Sequence, residues 1–348
     1  MKYEYPSLYE TFRCIGGACP DTCCAGWEVD IDPDTYDYYM ETEGEFGRRL
    51  RSHMTEDEDG DIYFPLTPEG RCPFLNRHDL CDIFSELGEE SLCRVCTEYP
   101  RYYLPAGDYE QIDMSLSCME VGRLFFSDPE PVRYLTQEDI MDGDPLTGEE
   151  VLRRDEILRR RDEMLAFIRK SHSETADNRF AALLARFPAL SPESDEDLLS
   201  VMDRLELIDD RWNDVMIPIR TNLTAIQKHE REFLNCAGPE FDRWTGKLIS
   251  YFLFRYCLNV FSSGSWENEM RFIRRSLRFI RLMCIAREMG LLPRSSYGGR
   301  LSGQEQQERC NCFTLSDMID IAHLYSKQVE HSDGNVELLR TISGENIK

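Results

Sequence analysis

Nine of the chain's fourteen cysteines fall between Cys14 and Cys118, and this crowding constrains the fold more than any other feature. The run opens Cys14-Ile-Gly-Gly-Ala-Cys19-Pro-Asp-Thr-Cys23-Cys24, passes through Cys72 and Cys81, and closes with Cys93-Arg-Val-Cys96 and Cys118. Thiols this dense are either cross-linked or bound to metal. Met1-Lys2-Tyr3-Glu4-Tyr5-Pro6 shows no basic segment leading into an apolar run, so no secretory signal is read and a cytoplasmic location is expected. In a reducing compartment a cysteine pattern points to metal rather than to a disulfide framework.

A zinc site asks for four ligands in a tetrahedron, and a [4Fe-4S] cluster asks for four thiolates, one for each iron. Nine thiols exceed either demand. Cys19 and Cys23 stand one helical turn apart, whereas the neighbours Cys23 and Cys24 point in different directions unless the backbone turns sharply. One of that pair then serves a second site or packs as a small hydrophobe. The two-residue gap of Cys93 and Cys96 is shared by zinc knuckles, redox pairs and iron–sulfur sites, so it does not choose among them. None of the six histidines shows paired metal spacing, and only His78, three residues before Cys81, is placed to approach the thiols. Cys310 and Cys312 lie in a polar stretch far from this pattern and are expected to be free thiols.

With 348 residues and 41% hydrophobic side chains the chain can build a substantial core. A formal net charge of −25 argues against nucleic acid as a partner, since phosphate neutralisation needs clustered Lys and Arg. The longest apolar run, Leu248 to Phe261, is shorter than the ~20 residues of a membrane span and carries Arg255 in its middle, so it reads as a core helix.

Residues 1–128 are punctuated by Gly, Pro and Asp and read as an irregular, cysteine-rich metal-binding module; residues 129–348 read as a helical domain. The fold class expected is therefore mainly α. Within the first part a helix is expected over 34–54, weakened by Gly44 and Gly47. The acidic run Glu56 to Asp61 lacks the Glu that a calcium loop needs at its twelfth position, so it is expected to be a solvated turn opening a strand at Ile62-Tyr63-Phe64. Thr147 and Glu150 form a capping box for a helix over 148–171. Further helices are expected near 176–187, 195–207, 212–236, 240–262, 266–290 and 314–331. The absence of strand–helix alternation argues against a doubly wound sheet. Over 266–290, Arg271, Arg274, Arg275, Arg278 and Arg281 flank a buried stripe of Ile273, Leu277, Ile280 and Cys284. Such a face either meets an anionic partner or pairs with the chain's own acids, and the second is favoured.

Several of these motifs resemble known families. Cys14-x4-Cys19-x3-Cys23-Cys24, Cys72-Pro-Phe-Leu, Cys81-Asp-Ile-Phe and Cys96-x2-Tyr99-Pro100-Arg101 resemble the bacterial cysteine-cluster module described as zinc- or iron-chelating. Cys24-Ala-Gly-Trp27-Glu-Val-Asp30-Ile-Asp32, Ser115-Leu-Ser-Cys118-Met-Glu and the helical segment Tyr251-Phe-Leu-Phe-Arg-Tyr256 resemble the flagellin lysine-N-methylase family. The likeness covers the first 126 residues well and the tail loosely. It implies an S-adenosylmethionine-dependent protein lysine N-methyltransferase that acts on flagellin in the cytoplasm and carries a [4Fe-4S] cluster, with zinc as the alternative metal. Peripheral membrane association and homo-oligomers also come within its scope. The implied metal ligands are Cys14, Cys19, Cys23, Cys24, Cys72, Cys81, Cys96 and Cys118, while Cys93 stands outside the family's core cysteines and Met119 replaces an expected proline. Trp27, Tyr99 and Arg101 are the candidate cofactor-binding residues, and Asp30 and Asp32 are candidates to line a pocket beside the metal. No catalytic residue is named by the sequence. Nor is an S-adenosylmethionine signature visible: Gly26 stands where a radical Cys-x3-Cys-x2-Cys motif would place its last cysteine, and no glycine-rich turn follows a strand. A non-catalytic interaction module stabilised by zinc and an iron–sulfur carrier remain as alternatives.

Overall fold

The computed structural model describes residues 1–139, 143–169, 174–293 and 313–341. It is mainly α, as the periodicity predicts, and divides into two compact units. One comprises residues 13–102 with 118–120; the other comprises 1–12, 103–117 and 121–348.

In the first unit the 34–54 region is a pair of helices, Pro33–Glu41 and Gly44–His53, rather than one. Asp32 caps the first, accepting from the Thr35 N–H at 3.2 Å, with Pro33 supplying a preset φ at the first helical position. The break falls at Gly44, whose φ of +83° suits glycine. Gly47 then lies so close to the first helix that a Cβ would sit 1.9 Å from the Thr42 carbonyl oxygen. Arg51 closes the corner by donating to the carbonyls of Tyr39 at 3.0 Å and Thr42 at 2.9 Å. These carbonyls end the helix and have no partner within it. The strand Ile62–Phe64 forms as expected and pairs antiparallel with Val29–Asp30 on one side and Thr55–Glu56 on the other. The acidic run before it is a turn in which the Asp57 carboxylate accepts the N–H groups of Asp59 and Asp61, each at 2.9 Å.

The second unit joins a four-stranded sheet to a helical stack. Its strand order is Arg101–Ala106, Tyr109–Met114, Lys2–Pro6, Tyr134–Glu138, with Lys2–Pro6 parallel to the second and antiparallel to the fourth. Helix Gly148–Arg169 begins at the expected capping box, where Glu150 accepts from both the Thr147 N–H and hydroxyl at 2.8 Å. Its buried Arg161 is tied to the sheet by hydrogen bonds to Tyr109, at 3.0 Å, and Gln111, at 2.8 Å, and by an ion pair with Glu4, at 2.6 Å. Helices Ala176–Leu184, Asp195–Met202, Trp266–Glu288 and Leu315–Val329 all start at Ser or Thr caps. The two helices expected over 212–236 and 240–262 run together as Trp212–Cys257, with a break at Gly238, φ +61°, before Pro239. Leu248 to Leu258 is buried throughout, which makes the apolar run the centre of the core. Among the described residues no helix is long and apolar enough to cross a membrane.

The arginine face of helix Trp266–Glu288 pairs with the unit's own acids. Arg274 and Arg275 meet Glu193, Arg278 meets Asp195 and Glu230, and Arg281 meets Asp177 and Glu230. Four of the five arginines are thus paired from within, as expected, while Arg271 donates to Asn268 Oδ1 at 2.9 Å and to the Arg340 carbonyl.

Candidate metal centre

The cysteine-rich unit has a small core of Val29, Ile31, Tyr39, Leu50, Phe64, Phe74 and Ile83, and sulfur lines one part of it. Cys72 and Cys93 are buried in this core, and Cys24, Cys81 and Cys96 pack against it. Backbone pairing brings the contributing loops together. Cys72 N–H donates to the Cys24 carbonyl at 2.9 Å, Ala25 bridges Arg71, and Leu75 bridges Cys81. Asp32 positions the Cys93–Cys96 turn. One of its carboxylate oxygens caps helix Pro33–Glu41, and the other accepts the Arg94 N–H at 2.8 Å, at the first residue of helix Arg94–Glu98. Burial works against the Asp32 charge, yet the hydrogen bonds from Arg94 and Thr35 hold its carboxyl below the usual range. Asp32 is thus the brace of the Cys-x-x-Cys turn.

The sulfurs fall into two neighbouring groups. Cys72, Cys81 and Cys96 each feel the charge of Cys24, and Cys96 also feels Cys93 and Cys72. Cys23 feels Cys14 and Cys118, and Cys19 feels Cys14 and Glu120. The groups meet where the Cys23 thiol donates to Cys24, which holds the Cys24 thiol down at about 7 while Cys23 is pushed up. A second shared proton links Cys96, pushed up, to Cys93, pulled down chiefly by the Cys96 thiol and further by Tyr39. Backbone N–H groups also point at sulfur: Phe74 toward Cys72, Ile83 and Phe84 toward Cys81, and Asp21 toward Cys19. Such donors favour the thiolate, the form that binds metal. Burial is the larger effect at these three sulfurs and pushes the Cys72 thiol up to about 12.

The remaining sequence candidates take structural contacts. Trp27 donates its ring N–H to the Cys23 carbonyl at 2.6 Å and so braces the Cys23–Cys24 corner. Tyr99 follows helix Arg94–Glu98, and Arg101 donates back to the Thr97 carbonyl of the same helix at 3.4 Å. Asp30 lies in the strand Val29–Asp30, paired opposite Tyr63. The His78 ring accepts from Arg77 at 3.1 Å on the exposed side of its loop. Tyr39 was the residue that spacing missed, because its role comes from burial and a contact across 54 positions with Cys93, which the Cys-x-x-Cys spacing flags but the family's core cysteines leave out. Cys310 and Cys312 lie outside the described residues. Among the described residues no three His, Cys, Asp or Glu side chains converge tightly enough to hold a metal ion.

The family-model match falls in the helical unit. The FliB lysine N-methylase C-terminal domain matches residues 150–347. The chain belongs to the FliB lysine N-methylase family. That match lies entirely in the helical unit, so the nine thiols between Cys14 and Cys118 are outside it. The lysine-N-methylase of Salmonella typhimurium is 29% identical over 131 residues, which is 36% of this chain and 32% of that protein. The flagellar biosynthetic protein FliU of Salmonella muenchen is 28% identical over 131 residues, 36% of this chain and 77% of that protein. The chain thus spans about a third of the length of the curated lysine-N-methylases it matches. No solved structure matches.

Proposed function

We propose that this chain is a lysine N-methyltransferase that modifies flagellin in the cytoplasm, takes its methyl group from S-adenosylmethionine, and holds a [4Fe-4S] cluster in the cysteine-rich unit. The observation that carries the reading is the FliB lysine N-methylase match across residues 150–347. The names lysine-N-methylase and flagellar biosynthetic protein among the relatives support lysine as the target and flagellin as its carrier.

The thiols fit a cluster better than a single zinc. The donors gathered here are thiols, the donor set a cluster uses, and none of the six histidines stands at paired metal spacing. A cluster gives each thiolate its own iron and so accepts a wider spread. Cys24, Cys72, Cys81 and Cys96 are the first choice of ligands, with Cys93 sharing a proton with Cys96. Cys14, Cys19, Cys23 and Cys118 form the adjoining group and are retained as candidates. When bound, the cluster would supply folding free energy to a unit with few long helices, and electron transfer where a partner uses it. The protein's own part is to brace the ligands: Asp32 orients the Cys93–Cys96 turn, Tyr39 holds Cys93, and Trp27 holds the Cys23–Cys24 corner.

Protein purified without oxygen tests both halves. Iron and acid-labile sulfide in equal amounts, together with transfer of labelled methyl groups from S-adenosylmethionine to flagellin, are expected. Stoichiometric zinc without iron or sulfide would remove the cluster, and unlabelled flagellin would remove the activity.

A further inference from the structure

The helical unit encloses a polar group that no spacing in the sequence announces. Tyr251, Arg255 and Tyr256 come from the apolar run, Asp113 from strand Tyr109–Met114, and Glu330 from the end of helix Leu315–Val329. Both tyrosines donate to the same carboxylate: Tyr251 Oη to Glu330 Oε2 and Tyr256 Oη to Oε1, each at 2.8 Å. Ser326 also donates to Oε2. Arg255 lies 3.5 Å from Glu330 Oε1 through Nε and 3.1 Å from Asp113 Oδ2 through Nη1. The Glu330 side chain has no exposure, and those of Arg255 and Asp113 have 6% and 5%.

A chain of hydroxyls leads outward from this carboxylate. Ser326 Oγ is 3.4 Å from Ser115 Oγ, which is 2.7 Å from Ser117 Oγ, and the Ser117 hydroxyl meets His331 Nε2 at 2.8 Å. His331 belongs to the turn between helices Leu315–Val329 and Asp333–Thr341 and is exposed, although its Nε2 faces inward. Burial of that nitrogen, with Lys327, Arg255 and His323 nearby, pushes the ring down to about 4, so it is neutral at pH 7 and open to a donated hydrogen bond.

Stability alone does not account for the group. Two carboxylates share one guanidinium in a dry interior, and an ion pair of this kind is often matched or bettered by apolar residues of similar volume. Within the trio, two carboxylates, Asp113 and Glu330, face the one guanidinium of Arg255. Burial accordingly pushes the Asp113 carboxyl up to about 6, with Arg255 opposing and Glu330 adding to the rise. A cation entering beside Glu330 would complete the balance, and phenol rings flanking a carboxylate are the surroundings an alkylammonium favours.

We infer that Glu330, flanked by Tyr251 and Tyr256, receives the primary ammonium of an alkylamine, the side chain of the substrate lysine, and that Ser326, Ser115, Ser117 and His331 carry its proton to solvent. The choice of amine rests on the lysine-methylation reading; the cation site itself does not. Entry requires the turn at Glu330 and His331 to open, since the Glu330 side chain has no exposure. In the step, an N–H bond of the ammonium breaks and its proton joins the Glu330 carboxylate. Each hydroxyl then passes one proton along, His331 takes one at Nε2 and releases another from Nδ1 to water, and the amine keeps the lone pair that attacks a sulfonium methyl donor. An ammonium has no such lone pair, so methylation cannot start until this proton has left.

Binding of n-butylamine to the intact chain, with n-butanol as the neutral control, tests the site by calorimetry and by protein NMR shifts. The expected result is saturable butylammonium binding, absent for butanol, that falls at least tenfold in Glu330→Gln and several-fold in Tyr256→Phe, each checked for an unchanged thermal transition. Should Glu330→Gln fail to fold, the wild-type selectivity for amine over alcohol and the Tyr256→Phe variant still decide. His331→Ala is expected to lower kcat for flagellin methylation with KM unchanged and to be partly rescued by added imidazole. Equal binding of amine and alcohol, no binding by wild type, or full binding by Glu330→Gln overturns the site, and an unaltered kcat in His331→Ala overturns the relay. Methylation that proceeds unaffected in Glu330→Gln overturns the inference and leaves the family reading intact. Butylammonium binding without any methylation does the reverse.

Discussion

Tyr39 holds Cys93 from a helix more than fifty positions away: its phenol donates to the Ser91 carbonyl at 2.6 Å, and its oxygen lies 3.6 Å from the Cys93 sulfur. Both groups are buried, so the phenol has no water to fall back on. Replacing Tyr39 by Phe strands the Ser91 carbonyl and is expected to cost about 1–3 kcal/mol in urea denaturation of the metal-free protein. It also removes the Tyr39 contact that helps hold the Cys93 thiol down, so alkylation of that thiol should set in at higher pH than in wild type. An unchanged alkylation profile would show that Tyr39 does not touch the thiolate.

The two sulfur groups predict different responses to single Cys→Ser changes. Cys24, Cys72, Cys81 and Cys96 share the core around Tyr39, and loss of any one leaves an iron without its ligand. Iron per chain in anaerobically purified protein should fall to a small fraction in these variants. Cys236, exposed in the helical unit, should be replaceable by Ser with iron unchanged. Full iron in Cys24→Ser and Cys96→Ser together would place the metal elsewhere.

How much of this was legible in the sequence depended on whether the cause was local. The Thr147–Glu150 capping box, the turn before Ile62 and the core helix around Leu248 each rest on a few consecutive residues, and each forms as expected. The pairing of Arg275 with Glu193 follows the charge balance but not any spacing, so only its kind was readable. The pairing of Lys2–Pro6 with Tyr109–Met114 joins strands more than a hundred residues apart and leaves no periodic trace. Helix 34–54 breaks because Gly44 takes a positive φ and Gly47 meets the Thr42 carbonyl, which composition hinted at without locating. The thiols were legible as a set because cysteine is rare. Asp32 as the brace of Cys93–Cys96, and Glu330 with its two tyrosines, were not, since each is defined by contacts among distant segments.

Arg275 is 1% exposed and grips Glu193 at 2.9 and 3.0 Å through Nε. Glu193→Gln would leave a buried guanidinium without its counter-charge, and a loss of about 3–5 kcal/mol is expected in chemical denaturation. The double variant Arg275→Met, Glu193→Leu should recover much of it, because the buried guanidinium is gone and only the more exposed Arg274 loses Glu193. A double variant as unstable as the single one would mean that the pair contributes through packing instead.

Glu269 has a side chain with no exposure, and burial pushes its carboxyl up to about 7 against the pull of Arg340 and Ser263. The folded chain therefore keeps a proton that the unfolded chain releases above about 4.5, and raising pH from there toward 7 favours unfolding. Glu269→Gln does not titrate, so its stability relative to wild type should improve across that window by on the order of 3 kcal/mol. Parallel denaturation midpoints of the two proteins from pH 4.5 to 7.5 would contradict the assignment.

Tandem mass spectrometry of flagellin incubated with the anaerobically purified chain and methyl-deuterated S-adenosylmethionine tests the central claim most directly. The account predicts deuterated methyl groups on lysine Nζ atoms, dependent on the chain and abolished in Glu330→Gln. Flagellin recovered without deuterium on any lysine, from protein carrying its full iron and sulfide, would contradict it.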